Sequence, residues 1–448
     1  MNTPIYDFVR RYALSDKARF HMPGHKGIPF LGIEQLDITE IDGADVLYSP
    51  TGIIEESENN ATTLFGSHHT FYSTEGSTLA IKAMLATAID RDTGERPLIL
   101  AARNSHKAFI HACALLDLDV KWMIPATRSH LCSCDITVDD LESAITACNQ
   151  KPHAVYVTSP DYMGNLLDIS ALARVCHANG IPLLVDNAHG AYLSFLTPSL
   201  HPLALGADAC CDSAHKTLPV LTGGAYLHVS QSAPARFKDE NAVRNAFSLF
   251  ASTSPSYLIL QSLDVCNRYL CDGYRHRLIE HIKDLTSLKN RLAEIGYRLL
   301  PSEPLKLVID CNAYGYTGNE IAAIIRGGGI ECEFSDPGYI VFMSTPENSD
   351  RELERLWTQL SVIPKRSEIP SLPNDSLSAT PQVATTIRHA ILGKKEIISV
   401  RKAEGRICAT PTVSCPPAIP IVVSGEIIER QHIALLEQYG IEKIEVSK

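Results

Sequence analysis

The chain has 448 residues, with 40 lysines and arginines against 51 aspartates and glutamates, and a net charge of −11. This acidic balance argues against a general nucleic-acid binder, which would carry a surplus of basic residues. Hydrophobic residues make up 45% and charged residues 20% of the chain, so disordered and collagen-like classes are excluded. The length predicts two or three domains around at least one large core.

The sequence gives no sign of a membrane anchor, a secretion signal or a metal centre. No apolar run reaches the roughly 20 residues that cross a bilayer, and residues 1–20 lack the apolar stretch of a signal peptide. We therefore expect a cytoplasmic protein. The 13 cysteines are scattered, without a C-x-x-C motif or zinc-like spacing. We expect reduced, mostly buried thiols and no metal, rather than a metal or redox site.

In chain order, residues 1–20 indicate a short helix and residues 21–75 are rich in turns. From residue 76, apolar segments typical of strands alternate with helical segments, which predicts an α/β fold with a mostly parallel sheet. The strands lack polar and apolar alternation, as is typical of strands buried on both faces. The predicted helices are 78–89, 107–116 and 168–179, and the predicted strands are 97–102, 120–124, 154–158, 182–186, 207–211 and 223–228.

The second half of the chain predicts long helices over residues 256–298 and then a smaller α/β unit. That unit contains strands at 305–310, 330–334 and 339–343, with a helix at 319–326. Residues 362–381 are rich in proline and serine and indicate a linker, before a segment with one helix, a proline-rich stretch and a final helix–strand pair. The predicted parts are an N-terminal arm (1–75), a large domain (76–255), a helical linker with a small α/β domain (256–361) and a C-terminal domain (382–448).

Polar residues follow several of the predicted strands. Ligands of open parallel sheets bind beyond the carboxyl ends of the strands, so we expect these residues to meet at one edge. The segments are TSPD (158–161), DNAHG (186–190) and DSAHKT (212–217), together with STEGST (73–78) before the first long helix of the large domain.

Each candidate residue also has an ordinary structural explanation. Gly76, Ser77 and Thr78 could serve only to begin a helix, although the free N–H groups at a helix start also suit a phosphate. Asp186 could be a turn residue, or a carboxylate that keeps a heteroaromatic nitrogen protonated.

His189 could be a buried core histidine, and Lys216 could be a surface lysine or a lysine that forms a Schiff base. Taken singly, the structural explanations are favoured. Together, in this order at one edge, the four features indicate a phosphate-bearing aldehyde held by Lys216, which is pyridoxal 5′-phosphate with Asp186 as partner of its ring nitrogen.

At this point the chain resembles the fold-type-I pyridoxal-phosphate decarboxylases of the ornithine, lysine and arginine group, in their short bacterial form. The matching motifs occur in order along nearly the whole chain, and DSAHKTLP with STSPSY is specific to this group within the fold. The motifs are HMPGHKG (21–27), GST (76–78), RNSHKAF (103–109), TSPDYMGNLLDI (158–169), VDNAHGAY (185–192), DSAHKTLPVLTGGA (212–225), STSPSY (252–257) and, within 403–426, AEGRI and IPIVVSGE.

The resemblance implies a role for each candidate residue. Lys216 would bind the cofactor covalently, Asp186 would pair with its ring nitrogen, His106 would stack on its ring and His189 would lie near its phenolic side. The residues that would bind or flank the phosphate are Gly76, Ser77, Thr78, Ser213 and His215.

The resemblance also implies a partner and a reaction. Thr253, within STSPSY, would contact the cofactor of a neighbouring subunit, which implies an obligate homodimer with shared active sites. The reaction would remove the carboxylate of arginine, lysine or ornithine to give agmatine, cadaverine or putrescine. His215 or Lys216 would return a proton to the α-carbon.

The chain departs from the group's pattern at three places. Glu75 stands where relatives commonly have asparagine, Asn187 stands where they often have an acidic residue, and CPPAIP (415–420) replaces YPPGIP.

Two other functions are left open. An aminotransferase or a carbon–sulfur lyase would share Asp186 and Lys216 but would need an arginine for the substrate carboxylate, for which the small domain offers Arg326. A non-catalytic paralogue that binds the cofactor is supported only by Glu75 and Cys415.

Overall fold

The computed structural model describes residues 1–89, 94–125, 130–370, 380–411 and 417–448. No described helix is both long and apolar enough to cross a membrane. The helices are α1 (Pro4–Ala13), α2 (Ile53–Phe65), α3 (Gly76–Ala88), α4 (Lys107–Leu116), α5 (Val138–Thr146), α6 (Ile169–Ala178), α7 (Ala214–Thr217), α8 (Ala235–Lys238), α9 (Glu240–Ser248), α10 (Tyr257–Cys271), α11 (Tyr274–Glu294), α12 (Gly318–Gly327), α13 (Asp350–Ser361), α14 (Ile387–Leu392) and α15 (Arg430–Gln438). The strands are β1 (His69–Ser73), β2 (Leu98–Ala102), β3 (Asp119–Met123), β4 (Ala154–Thr158), β5 (Leu183–Asp186), β6 (Ala209–Asp212), β7 (Ala225–Val229), β8 (Arg298–Leu299), β9 (Lys306–Asp310), β10 (Phe334–Ser335), β11 (Tyr339–Met343), β12 (Lys395–Ser399) and β13 (Lys443–Ser447).

The chain forms two compact units, of which the first comprises residues 1–89 and 169–277. Its strands lie in the order β1-β7-β6-β5. β5 and β6 are parallel, with Asp186 beside Cys211, whereas β7 is antiparallel to both β6 and β1. Strand β7 reverses direction because the short connection from β6 contains only the four-residue helix α7, and parallel neighbours need a longer crossover.

The second unit comprises residues 90–168 and 278–448. Strands β4-β2-β3 pair in parallel, and β10-β11-β9-β8 form a separate antiparallel sheet. A small antiparallel pair, β12 and β13, lies near the C-terminus. The prediction of an α/β fold with mostly parallel pairing in its large sheet is confirmed. The four domain boundaries stay a prediction.

Several predicted elements need correction. Residues 21–75, expected to be turns, contain α2 and β1, and the strand expected at 330–334 is reduced to β10. Helix α2 buries Ile54, Glu58, Ala61 and Phe65 at helical spacing. The helix was not predicted because one of these buried positions is a charged glutamate, which interrupts the apolar pattern. Of the predicted linker, residues 371–379 lie outside the described residues. The cysteines of the described ranges are free thiols, and most of them are buried.

A buried ion pair stabilises the first unit. The Oε2 atom of Glu58 accepts a hydrogen bond from Nη2 of Arg244 at 2.7 Å, and its Oε1 accepts one from the backbone N of Tyr72 at 2.9 Å. Burial alone would raise the pKa of Glu58, but the hydrogen bond with His69 and the charge of Arg244 hold it below its ordinary value. The pair thus connects α2, β1 and α9.

Replacing Arg244 with methionine should lower the free energy of unfolding by about 3–5 kcal/mol, because the Glu58 charge stays buried without its cation. Since the pKa of Glu58 is lowered in the folded state, the pair stabilises the protein above the unfolded pKa and loses its effect as the pH falls. Urea unfolding at neutral and acidic pH measures both effects.

The matched control is Arg326→Met, which breaks an exposed pair with Glu331 and should change stability by less than about 1 kcal/mol. The double variant Glu58→Gln/Arg244→Met should be more stable than Arg244→Met. Equal losses in Arg244→Met and Arg326→Met would contradict a stabilising role for the buried pair.

Candidate active site

The predicted phosphate-binding residues lie together at the start of α3. Gly76 has a φ of 71°, a left-handed conformation that favours glycine, and its N–H donates to the carbonyl oxygen of Gly223 at 2.7 Å. The hydroxyl of Ser213 donates to the hydroxyl of Ser77 at 2.7 Å. Thr78 is exposed in the first turn of the helix. The N-terminal end of a 13-residue helix and these hydroxyls form a site suited to an anion.

Lys216 and His189 are in direct contact. Lys216 lies on α7, directly after β6, and its Nζ atom is 2.9 Å from Nε2 of His189. Asp186, at the end of β5, is 3% exposed. Its Oδ1 accepts hydrogen bonds from the N–H of Ala188 at 3.2 Å and from the thiol of Cys211 at 3.6 Å. The parallel pairing of β5 and β6 makes their following loops leave the same edge of the sheet, as the sequence predicted.

His215 lies beside Lys216 and is held by the backbone. Its Nδ1 is 2.9 Å from the carbonyl oxygen of Gly224, so Nδ1 carries the proton and Nε2 is the basic nitrogen of the neutral ring. Burial lowers the pKa of His215, and the charge of Lys216 lowers it further. The ring is therefore neutral near pH 7 and able to accept a proton.

Glu75 has a defined partner. Its Oε1 accepts a hydrogen bond from the backbone N of Ser252 at 2.8 Å, and Ser252 begins the STSPSY segment. The carboxylate thereby holds this segment at the start of α3. Thr253 is the next residue and is exposed. The departure at position 75 thus has a structural role.

Asn187 also has a defined partner, in the carboxylate of Asp212. Its Nδ2 donates to Oδ1 of Asp212 at 2.7 Å. An acidic residue at position 187 would place two carboxylates at this distance, whereas the amide supplies a donor. Oδ2 of Asp212 lies near the imidazoles of His201 and His228. The sequence analysis assigned these three residues no role, because nothing in the spacing of residues 201, 212 and 228 indicates their contact.

His106 lies in the second unit, at the start of α4. Its Nδ1 accepts a hydrogen bond from the N–H of Ala108 at 3.1 Å, which caps the helix. The next residue, Lys107, donates its backbone N–H to the carbonyl oxygen of Ala418 at 2.9 Å. The predicted stacking of His106 on a cofactor ring stays a prediction.

Ala418 stands where relatives commonly have glycine in the proline-rich stretch. Its φ of 58° is left-handed, a conformation that costs a residue with a side chain about 1–2 kcal/mol. Cys415 and Pro416 of the same stretch lie outside the described residues. The alanine therefore keeps the backbone conformation for which glycine is suited.

The first unit offers the groups that pyridoxal phosphate requires. An anion site lies at the helix start after β1, a lysine amine follows β6 and a buried carboxylate ends β5, and these three strands belong to one sheet. The parallel strands and these residues define a fold-type-I enzyme that depends on pyridoxal phosphate.

Comparison with known proteins gives the family. Residues 3–300 match the family described as "Orn/Lys/Arg decarboxylase, major domain", and residues 372–440 match "Orn/Lys/Arg decarboxylase, C-terminal domain". The chain belongs to this decarboxylase family, and the resemblance found in the sequence is confirmed.

Relatives support the same assignment. The chain is 30% identical to the arginine decarboxylase of Bacillus subtilis (strain 168) over 465 aligned residues, which cover 97% of this chain and 93% of the relative. Its fold is similar to that of the lysine decarboxylase of Francisella novicida, with a TM-score of 0.83, 17% identity, and coverage of 100% of this chain and 81% of the other. A serine palmitoyltransferase of Sphingomonas wittichii shares the fold more distantly, with a TM-score of 0.56, 14% identity, and coverage of 80% and 82%.

Replacing Lys216 with alanine should abolish covalent binding of pyridoxal phosphate, because no other amine takes its position after β6. Borohydride reduction followed by peptide mass spectrometry should find the pyridoxyl label on Lys216 in the wild type and at no lysine in the variant. The control variant Lys238→Ala, with its substitution on α8, should carry the pyridoxyl label on Lys216 as the wild type does. A stoichiometric label on another lysine in the wild type would show that the assignment is wrong.

Proposed function

We propose that this enzyme decarboxylates a basic L-amino acid to the corresponding amine and carbon dioxide, with arginine slightly preferred over lysine and ornithine. The observation that carries the proposal is the match to both domains of the decarboxylase family, with Lys216 and Asp186 at one edge of the sheet. The preference for arginine rests on the full-length similarity to the Bacillus subtilis arginine decarboxylase.

Each candidate site residue would have a separate role in decarboxylation. Pyridoxal phosphate supplies the acceptor for the electron pair that remains when the carboxylate leaves as carbon dioxide. Asp186 would keep the proton on the ring nitrogen, and its burial strengthens that interaction. His189 orients the Lys216 amine at 2.9 Å. Lys216, or His215 after its Nε2 has taken up a proton, would then deliver a proton to the α-carbon.

The alternative functions have less support. An aminotransferase or lyase would need an arginine for the substrate carboxylate, but Nε of Arg326 pairs with Glu331 at 3.0 Å on the surface. The non-catalytic paralogue rested on Glu75 and Cys415. Glu75 is occupied by the N–H of Ser252, and Cys415 lies outside the described residues. Decarboxylation is therefore the best supported function.

We also propose that the protein is a homodimer whose active sites combine residues of both subunits. Several large apolar side chains of the N-terminal arm are exposed, and so is Leu249, three residues before STSPSY. A concentration of exposed large apolar side chains in one segment supports an interface there. The arm residues are Leu14, Phe20, Met22, Ile28, Phe30 and Leu31. A cytoplasmic location stays a prediction of the sequence.

Specificity constants for arginine, lysine, ornithine and norleucine test the substrate class. A basic substrate should be preferred over norleucine by roughly 10²-fold or more, because a pocket built to bind a distal cation leaves buried acceptors unpaired when the substrate is neutral. Mass spectrometry of the amine products measures each turnover. Faster turnover of norleucine or of an acidic amino acid would contradict the substrate class but leave the cofactor chemistry in place.

Mixed dimers test the shared site. Lys216→Ala and a Thr253 variant that is inactive by itself should, after unfolding and refolding together in equal amounts, regain about one quarter of wild-type activity. Half of the dimers then pair unlike chains, and each of these has one intact site. Each variant refolded alone is the control. An active monomer in light scattering under assay conditions would exclude a shared site.

A further inference from the structure

Asp212 is a buried carboxylate at the end of β6, four residues before Lys216, and it accepts hydrogen bonds from three side chains. Its Oδ1 accepts from Asn187 at 2.7 Å, and its Oδ2 accepts from Nε2 of His201 at 3.1 Å and from Nε2 of His228 at 3.2 Å. All four residues are buried. We call Asn187, His201, Asp212 and His228 the Asp212 cluster.

The cluster connects separate segments of the first unit. Asn187 belongs to the loop that carries His189, and His228 lies on β7. Nδ1 of His228 is 2.8 Å from the hydroxyl of Thr70 on β1, which extends the network across the sheet. Asp212 is thus the residue at which the loops after β5 and β6 meet the antiparallel part of the sheet.

The end of β5 and the loop after it contact the end of β6 and the segment after it through side chains. Among these contacts are Asn187 with Asp212 and His189 with Lys216. The backbone N–H of Asn187 also donates to the carbonyl oxygen of Cys211 at 3.0 Å. The contact of Asn187 with Asp212 lies two residues before His189 and four residues before Lys216, so we expect a displacement there to shift the contact of His189 with Lys216.

We propose that Asp212 is a positioning residue that holds Asp186 and His189 in register with Ser213 and Lys216. This inference rests on the proposed function, since it concerns the geometry of the pyridoxal-phosphate site. Asp212 itself acts through its neighbours: its backbone leads into Ser213, whose hydroxyl meets Ser77 at the start of α3.

The negative charge of Asp212 is what allows it to accept from three donors. Burial alone would raise its pKa, but the imidazoles of His201 and His228 lower it below the ordinary value, so the group is ionised. Burial lowers the pKa of His228, which therefore donates as a neutral ring near pH 7. Hydrogen bonds to a carboxylate are stronger than those to a neutral acceptor. An asparagine at 212 would turn an NH2 group toward one of the donors.

A metal ion is the competing explanation for part of this cluster. One ligand atom each of His201, Cys210 and Asp212 lies within 4.8 Å of the others. However, burial and the charge of Asp212 raise the pKa of the Cys210 thiol well above its ordinary value, which disfavours the thiolate that a metal binds. Both carboxylate oxygens already accept hydrogen bonds. The hydrogen-bonded cluster is therefore favoured.

The test compares Asp212→Asn with Asp208→Asn. Asp208 is also buried and lies before β6, where it accepts from the backbone N of Leu183 at 2.8 Å and pairs with His177 at 3.0 Å. Both variants should lose stability in urea unfolding. Only Asp212→Asn should also weaken pyridoxal-phosphate binding to the apoprotein by roughly tenfold or more, change the visible circular dichroism of the bound cofactor, and lower kcat by roughly 10- to 100-fold with a smaller change in KM.

Asn187→Ala provides a second variant in case Asp212→Asn does not fold. It removes the side-chain contact between positions 187 and 212 but leaves Asp212 paired with both histidines, so it should reproduce the loss of cofactor affinity with less loss of stability. If Asp212→Asn and Asn187→Ala both match Asp208→Asn in cofactor affinity and circular dichroism, the positioning role is refuted. A stoichiometric metal in the wild type that disappears in Asp212→Asn would also overturn it.

The outcomes separate this inference from the proposed function. Cofactor affinity and circular dichroism do not depend on which amino acid is the substrate. If the wild type decarboxylates no basic amino acid while Asp212→Asn still weakens cofactor binding, the positioning role is supported and the substrate proposal is wrong.

Discussion

The parallel pairing of β5 and β6 is the constraint on which the site depends. It places Asp186 beside Cys211 and makes two loops leave the sheet at the same edge. Strand pairing alone fixes where the loops begin but not how they are arranged beyond the sheet. That arrangement comes from side chains, chiefly the amide of Asn187 and the amine of Lys216, which meet partners on the opposite loop. The sheet thus supplies the position of the site, and buried polar contacts supply its geometry.

Much of the fold follows from local sequence pattern. Buried strands such as β4 and helices such as α4 were predicted with the bounds that the structure gives, because their apolar runs are continuous and end at turn residues. Helix α2 was missed, since Ser57 and Glu58 occupy positions that face the core. Glu58 is buried against Arg244, which is 186 residues away along the chain, and Ser57 donates to Asp264, which is 207 residues away. A pattern read over ten residues cannot contain such a partner.

In the candidate site, too, some residues could be proposed from local sequence and others become apparent only from tertiary contacts. Lys216, Asp186 and Ser77 could be proposed as site residues because each lies just after a strand, at a strand end or at a helix start, where ligands bind. His201 and His228 could not, because their relation to Asp212 arises only when β6 and β7 pair and the turn after β5 folds back. Candidate ligand-binding residues can be proposed from their residue type and from their place beside a predicted strand or helix. Residues that support them are constrained by tertiary contacts.

The departures from the family pattern are accommodated by different means. Glu75 gains a backbone donor from Ser252, whereas Ala418 adopts a left-handed conformation in place of a glycine. Asn187 replaces an acid and becomes a donor to Asp212. The changes at positions 75 and 187 create hydrogen bonds, whereas the change at position 418 leaves a residue with a side chain in a strained backbone conformation.

Gly190 is coupled to this last arrangement. A Cβ atom at position 190 would lie 2.0 Å from Oδ1 of Asn187 and 2.8 Å from Cδ1 of Leu193, so a larger residue at 190 would force the Asn187 side chain to move. A smaller residue at 187 would remove the shorter of these two contacts, but it would also leave Asp212 with one donor fewer. The three positions are therefore epistatic. Substitutions at these positions during evolution are therefore restricted in their order. A substitution that is tolerated in one relative can be harmful when it is introduced alone into another.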